Sequence, residues 1–366
     1  MAMETTLETK VRLMIFTPSL ECGGSEKFVS ALCNNINTDL FTVWLVVLDN
    51  SKPFYRIKNP AVKVINLEKK VVRFSLPKLR SVVKEHQPDI IFTTANHLNL
   101  YFAIFRYLFP ASVKFVARES SIVSVNNTRT RFPALYSRFI KRYYGRFDEI
   151  ICQSYYMRQD LVANFNIRQE KTVVIHNSIE KSQTDNLSHT AYQEGKTCKF
   201  VTVARLSEEK GVERLIHAVG LLSMPFRFYI IGKGAKKPSL QKLIHKLHLE
   251  DKVFLEGEKE SPFSKMEDAD LFLMGSYYEG FPNVLLEAGD LGLPVVAFNV
   301  PGGIQEIISP ANGILVDDND IIGFAAAIKR GVAMNFNRKE IMEYTRSNFS
   351  VASAMRAIED LFLRIK

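Results

Sequence analysis

The segment of this sequence that is best suited to chemistry begins and ends with a glutamate. These are Glu279 and Glu287, with seven residues between them. Pro282 fits the first turn of a helix, whose first amides can bind phosphate oxygens. Glu287, one turn along that helix, can accept hydrogen bonds from the two hydroxyls of a ribose. Glu279, before the helix, can accept hydrogen bonds from hydroxyls on the far side of the phosphates. An exposed loop acid and a helix-surface acid form the alternative, which leaves the apolar Phe281-Pro282 pair unexplained. The residues between the glutamates include Gly280, Phe281, Pro282, Asn283, Val284 and Leu285.

Two cations follow a predicted strand earlier in the same half of the chain. Arg205 and Lys210 are five residues apart, between a strand that ends at Val203 and a helix that starts at Gly211. Both could reach one diphosphate at the end of the strand, Arg205 through its planar fork and Lys210 as a point charge. A solvated, charged loop is the alternative for this segment taken alone.

A glycine-rich loop ends the first predicted strand. Gly23 and Gly24 would let the backbone approach a ligand without interference from Cβ atoms. The helix that follows would offer free N–H groups and the positive end of its dipole to an anion. An ordinary glycine turn with a serine cap explains the same residues equally well.

These loops belong to a chain in which short apolar runs alternate with helical segments. Six such runs fall before residue 178 and six after it, beginning with residues 11–16 and 199–203. Buried strands that alternate with helices predict parallel sheets covered on both faces. The sequence therefore predicts an α/β fold of two doubly wound, Rossmann-like domains, residues 1–178 and 199–351, joined by a polar linker over residues 179–198. Ligands would bind at the carboxyl ends of the strands, in the cleft between the domains.

The charge of the chain is divided unevenly between these domains. The 366 residues carry a formal net charge of +9, and residues 1–178 hold 25 Lys and Arg against 14 Asp and Glu, whereas residues 179–366 hold 23 against 25. The surplus is compatible with nucleic acid, an anionic membrane or a phosphorylated small molecule. No apolar run approaches the roughly 20 residues that span a bilayer, and the polar N-terminus does not read as a signal peptide. We therefore expect a cytoplasmic protein whose four cysteines are reduced.

The ordered set of motifs resembles family 4 of the retaining glycosyltransferases, which have the GT-B fold. The resemblance runs from about residue 11 to residue 360, and its order is more specific than any single motif. Besides the segment from Glu279 to Glu287, the motifs are Gly-Gly-Ser-Glu at 23–26, Ala-Arg-Leu at 204–206 with Lys210 and Gly211, Ile-Gly-Lys-Gly at 231–234, Ala-Asp-Leu-Phe-Leu at 269–273 and Gly-Leu-Pro-Val-Val-Ala at 292–297.

The resemblance implies a nucleotide-sugar donor, with a UDP-sugar expected, and neither a metal nor another cofactor. Arg205 and Lys210 would neutralise the donor diphosphate together with helix N-termini. Glu287 would hold the ribose, and Glu279 the transferred sugar. Electrostatic stabilisation of the departing diphosphate would be the main catalytic effect, and the anomeric configuration of the sugar would be retained. Further donor contacts are expected from Gly23, Gly24, Gly232 and residues 280–285.

One position departs from many relatives. Where they often carry a histidine near the donor sugar, this chain has Glu119 and Ser120. We expect Glu119 to act in catalysis and, with Ser120 and His97, in acceptor binding. The resemblance thus makes residues 1–178 the acceptor domain and residues 199–351 the donor domain, with a final helix over residues 352–365 that packs back on the first.

A basic segment with interleaved aromatic residues lies in the acceptor half. A helix from about Pro133 would be amphipathic, with aromatic side chains suited to a lipid interface. Packing against its own sheet is the alternative, and no nucleic-acid motif is visible. The basic residues of this segment are Arg129, Arg131, Arg138, Lys141, Arg142 and Arg146.

Together these features predict a glycosyltransferase that extends a lipid-linked, polyprenyl-diphosphate-bound saccharide for a surface polysaccharide or glycoconjugate. It would attach peripherally to the inner, anionic face of the cell membrane through its first domain and would bind no nucleic acid. The alternatives are a nucleotide-sugar epimerase of related fold and a dehydrogenase that binds NAD.

Overall fold

The computed structural model describes residues 10–69, 71–128, 130–182, 195–259, 263–334 and 336–366. The chain forms two compact units: unit 1 comprises Met1–Asn177 and Val351–Lys366, and unit 2 comprises Ser178–Ser350. Residues 183–194 of the predicted linker and Arg129 of the basic segment lie outside the described residues. Cys198, which the polar composition places in the linker, is instead the first residue of a strand.

Unit 1 is built on a sheet of seven parallel strands. These strands are β1 (Val11–Thr17), β2 (Phe41–Val47), β3 (Lys63–Asn66), β4 (Ile90–Thr94), β5 (Lys114–Arg118), β6 (Glu149–Cys152) and β7 (Thr172–Val174). Their order is β3-β2-β1-β4-β5-β6-β7, so the order reverses between β1 and β4. Central strands such as β4 are buried along their whole length, as the apolar runs predict for a sheet covered on both faces.

Helices connect successive strands of unit 1 except β2 and β3, between which the described residues form no helix. They are α1 (Gly24–Asn35), α2 (Leu76–His86), α3 (Asn96–Phe105), α4 (Val123–Thr128), α5 (Pro133–Tyr143) and α6 (Tyr155–Phe165). The predicted start of a helix at Pro133 is confirmed, with this proline in the first turn. Helix α3 ends at Phe105, and a short 3-10 turn, Arg106–Leu108, follows it.

Unit 2 repeats the same architecture with six parallel strands. These are β8 (Cys198–Val203), β9 (Phe226–Ile231), β10 (Val253–Gly257), β11 (Leu271–Met274), β12 (Val295–Asn299) and β13 (Gly313–Asp317), in the order β10-β9-β8-β11-β12-β13. The helices are α7 (Val212–Gly220), α8 (Lys237–Lys246), α9 (Phe263–Glu267), α10 (Asn283–Asp290), α11 (Ile321–Ala333) and α12 (Arg338–Asn348). The predicted fold class, two doubly wound parallel sheets, is confirmed.

The last helix, α13 (Val351–Ile365), belongs to unit 1. Its Phe362 side chain is fully buried, and the ring lies 6.2 Å from that of Phe41 and 5.6 Å from that of Phe92. An aromatic side chain buried in this way contributes roughly 1.5–3 kcal/mol, so α13 is an integral part of the core of unit 1. In the part of the chain that the structure describes, no helix is long and apolar enough to cross a membrane.

Candidate active site

The candidate donor site lies where the strand order of unit 2 reverses. Strand β8 is flanked by β9 on one side and by β11 on the other. Ligands of open parallel sheets bind outside the carboxyl ends of the strands at such a reversal. The loops that leave β8 and β11, residues 204–211 and 275–282, meet there, because the Tyr277 amide donates a hydrogen bond to the Glu209 carbonyl at 2.9 Å.

An ion pair joins these two loops. Lys210 Nζ lies 2.6 Å from Glu279 Oε1, and the two side chains are only 20% and 13% exposed. The Ser276 hydroxyl donates to the same carboxylate oxygen at 2.6 Å. Two residues that the sequence assigns separately to the diphosphate and to the sugar are thus in direct contact. The arrangement places one cation and one carboxylate, both largely shielded from water, at the edge of the sheet.

Arg205, in contrast, lies at the surface of the same loop. Its side chain is 74% exposed, and Nη2 lies 3.1 Å from Oε1 of Glu209, which also accepts a hydrogen bond from the Ser207 hydroxyl at 2.7 Å. The pair thus joins an exposed guanidinium to a carboxylate that is only 12% exposed and that Ser207 also contacts. Arg205 is therefore the solvent-facing cation of this loop.

Arg214, which the sequence analysis did not single out, holds the loop after β11. Its guanidinium donates to the carbonyls of Gly275, at 2.6 Å, and Ser276, and Nη1 lies 2.7 Å from Asp318 Oδ1. It also lies over the ring of Tyr277, 4.1 Å from the centroid. Because Arg214 is buried and shares its donors among two carbonyls and a carboxylate, it positions the loop that carries Glu279.

The backbone of Glu279 is tied to the loop after β12. Its amide donates to the Pro301 carbonyl at 3.0 Å, and Glu279 and Gly302 form an isolated bridge. Gly302 has φ +125°, and a Cβ atom there would lie 1.5 Å from the Glu279 carbonyl oxygen. Only glycine fits this approach, so Gly302 is the residue that allows the Glu279 backbone to sit where it does.

Helix α10 begins at Asn283, so Pro282, which the sequence places in the first turn, is the residue that directly precedes the helix. One of the first amides of this helix is already engaged, because the Leu285 amide donates to the Pro282 carbonyl at 3.1 Å. The first turn closes on itself in this way. The Val284 amide has no backbone partner among the described residues, and the helix start carries no side-chain cap.

Glu287 lies half-buried on α10, one turn after Asn283. The end of the helix is fixed by Asp290, whose Oδ1 lies 2.6 Å from Nε of Arg346. Phe281, just before the helix, is buried, and its ring centroid lies 5.7 Å from that of Phe349. The apolar residue between the two glutamates therefore anchors the loop to the core of unit 2.

Gly232 joins the loop after β9 to the loop after β8. It has φ +145°, and a Cβ atom there would lie 1.9 Å from the Ala204 carbonyl oxygen. The Leu206 amide donates to the Lys233 carbonyl at 2.8 Å. The structure thus gives Gly232 a packing role beside Arg205, and its contact with a donor remains a prediction.

Gly23 and Gly24 lie in unit 1, where α1 begins at Gly24 and Gly23 precedes it with an extended backbone. The Glu26 carboxylate folds back over this turn, since a Cβ atom on Gly23 would lie 2.2 Å from Glu26 Oε2. Burial raises the pKa of Glu26. The Glu26 side chain therefore occupies the space beside the loop that is predicted to bind an anion. An anion could enter that space only if Glu26 moved or was protonated.

Glu119 is fully buried at the carboxyl end of β5. Its Oε1 accepts a hydrogen bond from Asn99 Nδ2 at 2.8 Å, and Asn99 also donates to the Arg118 carbonyl. Burial raises the pKa of Glu119 to about 7, although the hydrogen bond from Asn99 lowers it. The side chain of Tyr144, which is also fully buried, lies nearby. A carboxylate enclosed in this way does not face solvent, so direct contact between Glu119 and an acceptor remains a prediction.

Ser120 contacts Asn96, and His97 is the next residue along the chain from this asparagine. The Ser120 hydroxyl donates to Asn96 Oδ1 at 3.4 Å, and Asn96 Nδ2 donates to the Ser121 hydroxyl at 3.1 Å. His97 follows Asn96 at the start of α3, with its side chain exposed. Asn96, Ser120 and Ser121 thus form a hydrogen-bonded cluster at the carboxyl ends of β4 and β5, and of the predicted acceptor residues only Glu119 is enclosed.

Comparison with known proteins identifies the family. Residues 22–183 match the family described as Glycosyltransferase Family 4, and residues 187–348 match the one described as Glycosyl transferases group 1. A Campylobacter jejuni protein, N-acetylgalactosamine-N,N'-diacetylbacillosaminyl-diphospho-undecaprenol 4-alpha-N-acetylgalactosaminyltransferase, is 30% identical over 84% of this chain and 87% of its own. The chain belongs to the family 4 glycosyltransferases. It is thus an enzyme of the glycosyl-transferring class, and the matches give no support to an epimerase or a dehydrogenase.

Other similar proteins agree with the fold of this glycosyltransferase. The amylovoran biosynthesis glycosyltransferase AmsD of Erwinia amylovora is 22% identical over 89% of this chain and 91% of its own. Among solved structures, the lipopolysaccharide outer core galactosyltransferase WaaB, in its apo form, matches with a TM-score of 0.78 at 18% identity over 97% of this chain and 99% of its own. HepE of Anabaena in complex with UDP matches with a TM-score of 0.78 at 19% identity, over 97% and 100%. The predicted GT-B fold is confirmed.

Within unit 2 of the glycosyltransferase, the predicted donor residues that lie together are Lys210, Glu279 and Gly280, with Arg205 on the same loop as Lys210. Sequence reasoning missed Arg214, which looks like a surface arginine on a helix that follows Gly211. The signal that could have found it is its place at the third residue of α7, directly after the loop that carries Lys210. From there a long side chain reaches back over the turn toward the neighbouring strand end.

Proposed function

We propose that this glycosyltransferase transfers a sugar from a UDP-sugar to a saccharide carried on a polyprenyl diphosphate, with retention of the anomeric configuration and without a metal ion. The product would be a lipid-linked precursor of a surface polysaccharide or glycoconjugate. The observation that carries the proposal is the pair formed by Lys210 and Glu279 at the strand reversal of unit 2. It offers a cation to a diphosphate and, next to it, a carboxylate to sugar hydroxyls.

The donor would be held by the loops after β8 and β11 and by the start of α10. Lys210 and Arg205 would contact the diphosphate, and the helix start would add the positive end of its dipole. Glu287, half-buried on the same helix, would accept hydrogen bonds from the ribose hydroxyls. The solved complexes of HepE with UDP, UDP and glucose, and UDP-glucose support a uridine nucleotide, since that protein shares this fold.

The catalytic effect would come from stabilisation of the leaving group. Negative charge accumulates on the diphosphate as the bond to the sugar breaks, and preorganised cations lower the energy of that charge in the transition state. Lys210 is well placed for this role, because a site shielded from water strengthens its electrostatic interactions. Glu279 would orient the sugar during transfer.

Two observations support a lipid-linked acceptor. The name of the similar Campylobacter jejuni enzyme describes a saccharide on diphospho-undecaprenol as its substrate. In unit 1, α5 exposes Leu135, and Phe132 just before the helix is 61% exposed. The exposed basic residues of the same helix are Arg138, Lys141 and Arg142. Such a surface would dock on an anionic membrane, where the acceptor resides.

Product analysis tests the reaction. The full-length enzyme is incubated with a panel of nucleotide sugars and polyprenyl-diphosphate-linked acceptors, and products are identified by mass spectrometry, with the anomeric configuration read by NMR. We expect transfer to the lipid-linked acceptor from a UDP-sugar, with retention, and the same rate in EDTA. Turnover of the donor to an epimer in the absence of acceptor would contradict the proposal, as would inversion of the configuration.

A pair of matched variants tests the ribose contact. Glu287→Ala should raise the Kd for UDP about tenfold or more, since a charged hydrogen-bond acceptor is lost. Glu343→Ala is the control, because Glu343 lies on α12 and its side chain is 59% exposed. Isothermal titration calorimetry measures both. If the two variants bound UDP with equal affinity, Glu287 would not be a donor-binding residue.

Membrane docking is tested by flotation with anionic liposomes. Arg138→Ala/Arg142→Ala removes two cations one turn apart on α5, and Lys242→Ala/Lys246→Ala removes an equivalent exposed pair on α8. We expect the first variant to bind liposomes several-fold more weakly and the second to bind as the wild type does, with all binding reduced at high salt. Equal loss in both variants would indicate a response to net charge alone and would contradict docking through α5.

A further inference from the structure

A cavity of about 750 Å³ opens in unit 1 at the amino ends of the strands. One wall is the face of α2 that carries Pro77, Arg80, Ser81 and Lys84, which recur at helical spacing. The opposite wall is the segment before β5, from Leu108 to Val113, and Arg12 and Asp89 lie at the base. A volume of this size accommodates a small-molecule ligand.

This cavity is distinct from the sites described above. Its strand-end residues, Arg12 of β1 and Asp89 just before β4, lie at the amino edge of the sheet. The candidate residues Gly23, His97 and Glu119 follow the carboxyl ends of β1, β4 and β5. A strand of five residues is about 17 Å long, so the two edges cannot contribute to one small ligand site. Any ligand of the cavity would therefore be a second ligand.

The charges around the cavity are not balanced. Asp89 is engaged by Arg12, which donates from Nη2 at 2.8 Å and from its amide at 2.8 Å. The side chains of Arg80 and Lys84 form no ion pair or hydrogen bond with the described residues, and both are exposed. Two like charges at positions i and i+4 of a helix repel each other and slightly destabilise it. An anion between them would relieve this repulsion.

Apolar residues also line the cavity. Val83, Phe109 and Val113 are buried, so the apolar surface that a ligand can reach belongs to Pro77, Leu108 and Pro110. Apolar surface of this kind is stabilised when a hydrocarbon group covers it, at roughly 25 cal/mol per Å². The cavity therefore pairs two uncompensated cations with an apolar wall.

We propose that this cavity binds an anionic amphiphile, with a phosphate or carboxylate head between Arg80 and Lys84 and an apolar chain against Pro77, Leu108 and Pro110. The head would accept charge-assisted hydrogen bonds from both cations. The site requires both parts of the ligand, because the cations alone are exposed to water and the apolar wall alone provides no orientation. The proposal does not depend on the identity of the donor or the acceptor.

Binding of octyl phosphate below its micelle-forming concentration tests the site, measured by isothermal titration calorimetry on the full chain. We expect saturable binding of one equivalent, with no detectable binding of inorganic phosphate or 1-octanol at the same concentration. Arg80→Ala/Lys84→Ala should raise the Kd at least tenfold, since two charge-assisted contacts are lost. Lys242→Ala/Lys246→Ala, which removes an exposed pair with the same spacing on α8, should leave the Kd within twofold.

Ser81→Trp keeps both cations and fills the cavity, because Ser81 is an exposed lining residue of α2. This variant should also raise the Kd for octyl phosphate at least tenfold. Unchanged affinity in Ser81→Trp, equal losses in the two double variants, or an absence of saturable binding to the wild type would each overturn the proposal.

Anionic vesicles distinguish the two sources of such a ligand. Weaker binding of Ser81→Trp to phosphatidylglycerol vesicles would assign the site to a membrane lipid. Unchanged vesicle binding, together with lost octyl phosphate binding, would assign it to a soluble anion with an apolar group. Both results retain the cavity as the site and differ only in where the ligand resides.

Discussion

The contact between Lys210 and Glu279 makes a prediction with opposite signs for its two partners. A donor diphosphate that binds Lys210 must compete with a carboxylate oxygen already 2.6 Å from the ammonium group. Lys210→Met removes the cation and keeps much of the side-chain volume. Glu279→Gln removes the competing charge and keeps the shape, and Ser276 can still donate to the amide oxygen. We therefore expect Lys210→Met to weaken the binding of UDP and Glu279→Gln to strengthen it.

The magnitude follows from the geometry. At an effective dielectric constant of about 20, Coulomb's law gives roughly 6 kcal/mol of gross attraction at this separation, and desolvation of the two partly buried charges offsets most of it. A hydrogen bond to a charged group is worth a net of about 1.5–3 kcal/mol, so Lys210→Met should raise the Kd for UDP roughly 10- to 150-fold. Release of Lys210 should lower the Kd in Glu279→Gln several-fold, which corresponds to about 1 kcal/mol.

Isothermal titration calorimetry with UDP on the wild type, both single variants and the double variant measures the four affinities. Because Glu279→Gln acts through Lys210, its effect should disappear in the Lys210→Met background, so the two changes should not be additive. Turnover with the sugar donor should fall in Glu279→Gln even as UDP binds more tightly, since the proposed contact to the sugar is lost. Weaker UDP binding in both single variants, or additive effects, would refute the reasoning.

Three further predictions concern the residues that hold the two units in shape. Arg214→Met leaves two carbonyls and a carboxylate without their donor, so thermal unfolding should show that the protein loses about 3–5 kcal/mol of stability, and UDP should bind more weakly. Weaker UDP binding with unchanged stability would mean that Arg214 contacts the ligand instead of holding the loop. Gly302→Ala should lower the free energy of unfolding by more than about 3 kcal/mol in the same measurement. Gly145→Ala should change it by less than about 1 kcal/mol, because a Cβ atom on Gly145 meets nothing within 4 Å. Similar values for the two variants would contradict the steric argument. Glu119 binds a proton more tightly in the folded state than in the unfolded state, where its pKa is near 4.5, so its contribution to stability is fully present below pH 4.5 and is lost as the pH rises through about 7. Urea unfolding followed by the fluorescence of Trp44, the single tryptophan, should show that the free energy of unfolding decreases by up to about 3 kcal/mol over this range, and that the decrease is absent in Glu119→Gln. Parallel pH profiles of the two proteins would rule out this contribution of Glu119.

The strands that could be predicted from the sequence are those buried on both faces. Leu271–Met274 is a continuous apolar run, and the structure places β11 at the same residues. The edge strand Lys63–Asn66 could not be found in this way, because three of its four side chains are exposed and no apolar run marks it. Its position depends on hydrogen bonds to β2, which are a property of the assembled sheet.

The candidate site was predictable in its residue types but not in its contacts. Lys210 and Glu279 are 69 residues apart, and they meet because β8 and β11 are neighbours at the strand reversal. The sequence gives each side chain a role toward a ligand, yet it does not show that one neutralises the other without a ligand. Glu119 illustrates the same limit in unit 1, since its enclosure by Asn99 and Tyr144 depends on packing between elements far apart in the sequence.

A preformed ion pair at the proposed donor site has a consequence for binding. If Lys210 and Glu279 were apart in the free enzyme, the diphosphate would find an uncompensated cation, and its affinity would be high but its charge would also attract any other anion. With the pair in place, a ligand gains from Lys210 only if it also replaces the contact that Glu279 loses. A nucleotide sugar can do both, because its diphosphate meets the cation while a sugar hydroxyl meets the carboxylate. The pair therefore favours the complete donor over inorganic phosphate and discriminates by requiring two chemical groups at a fixed separation.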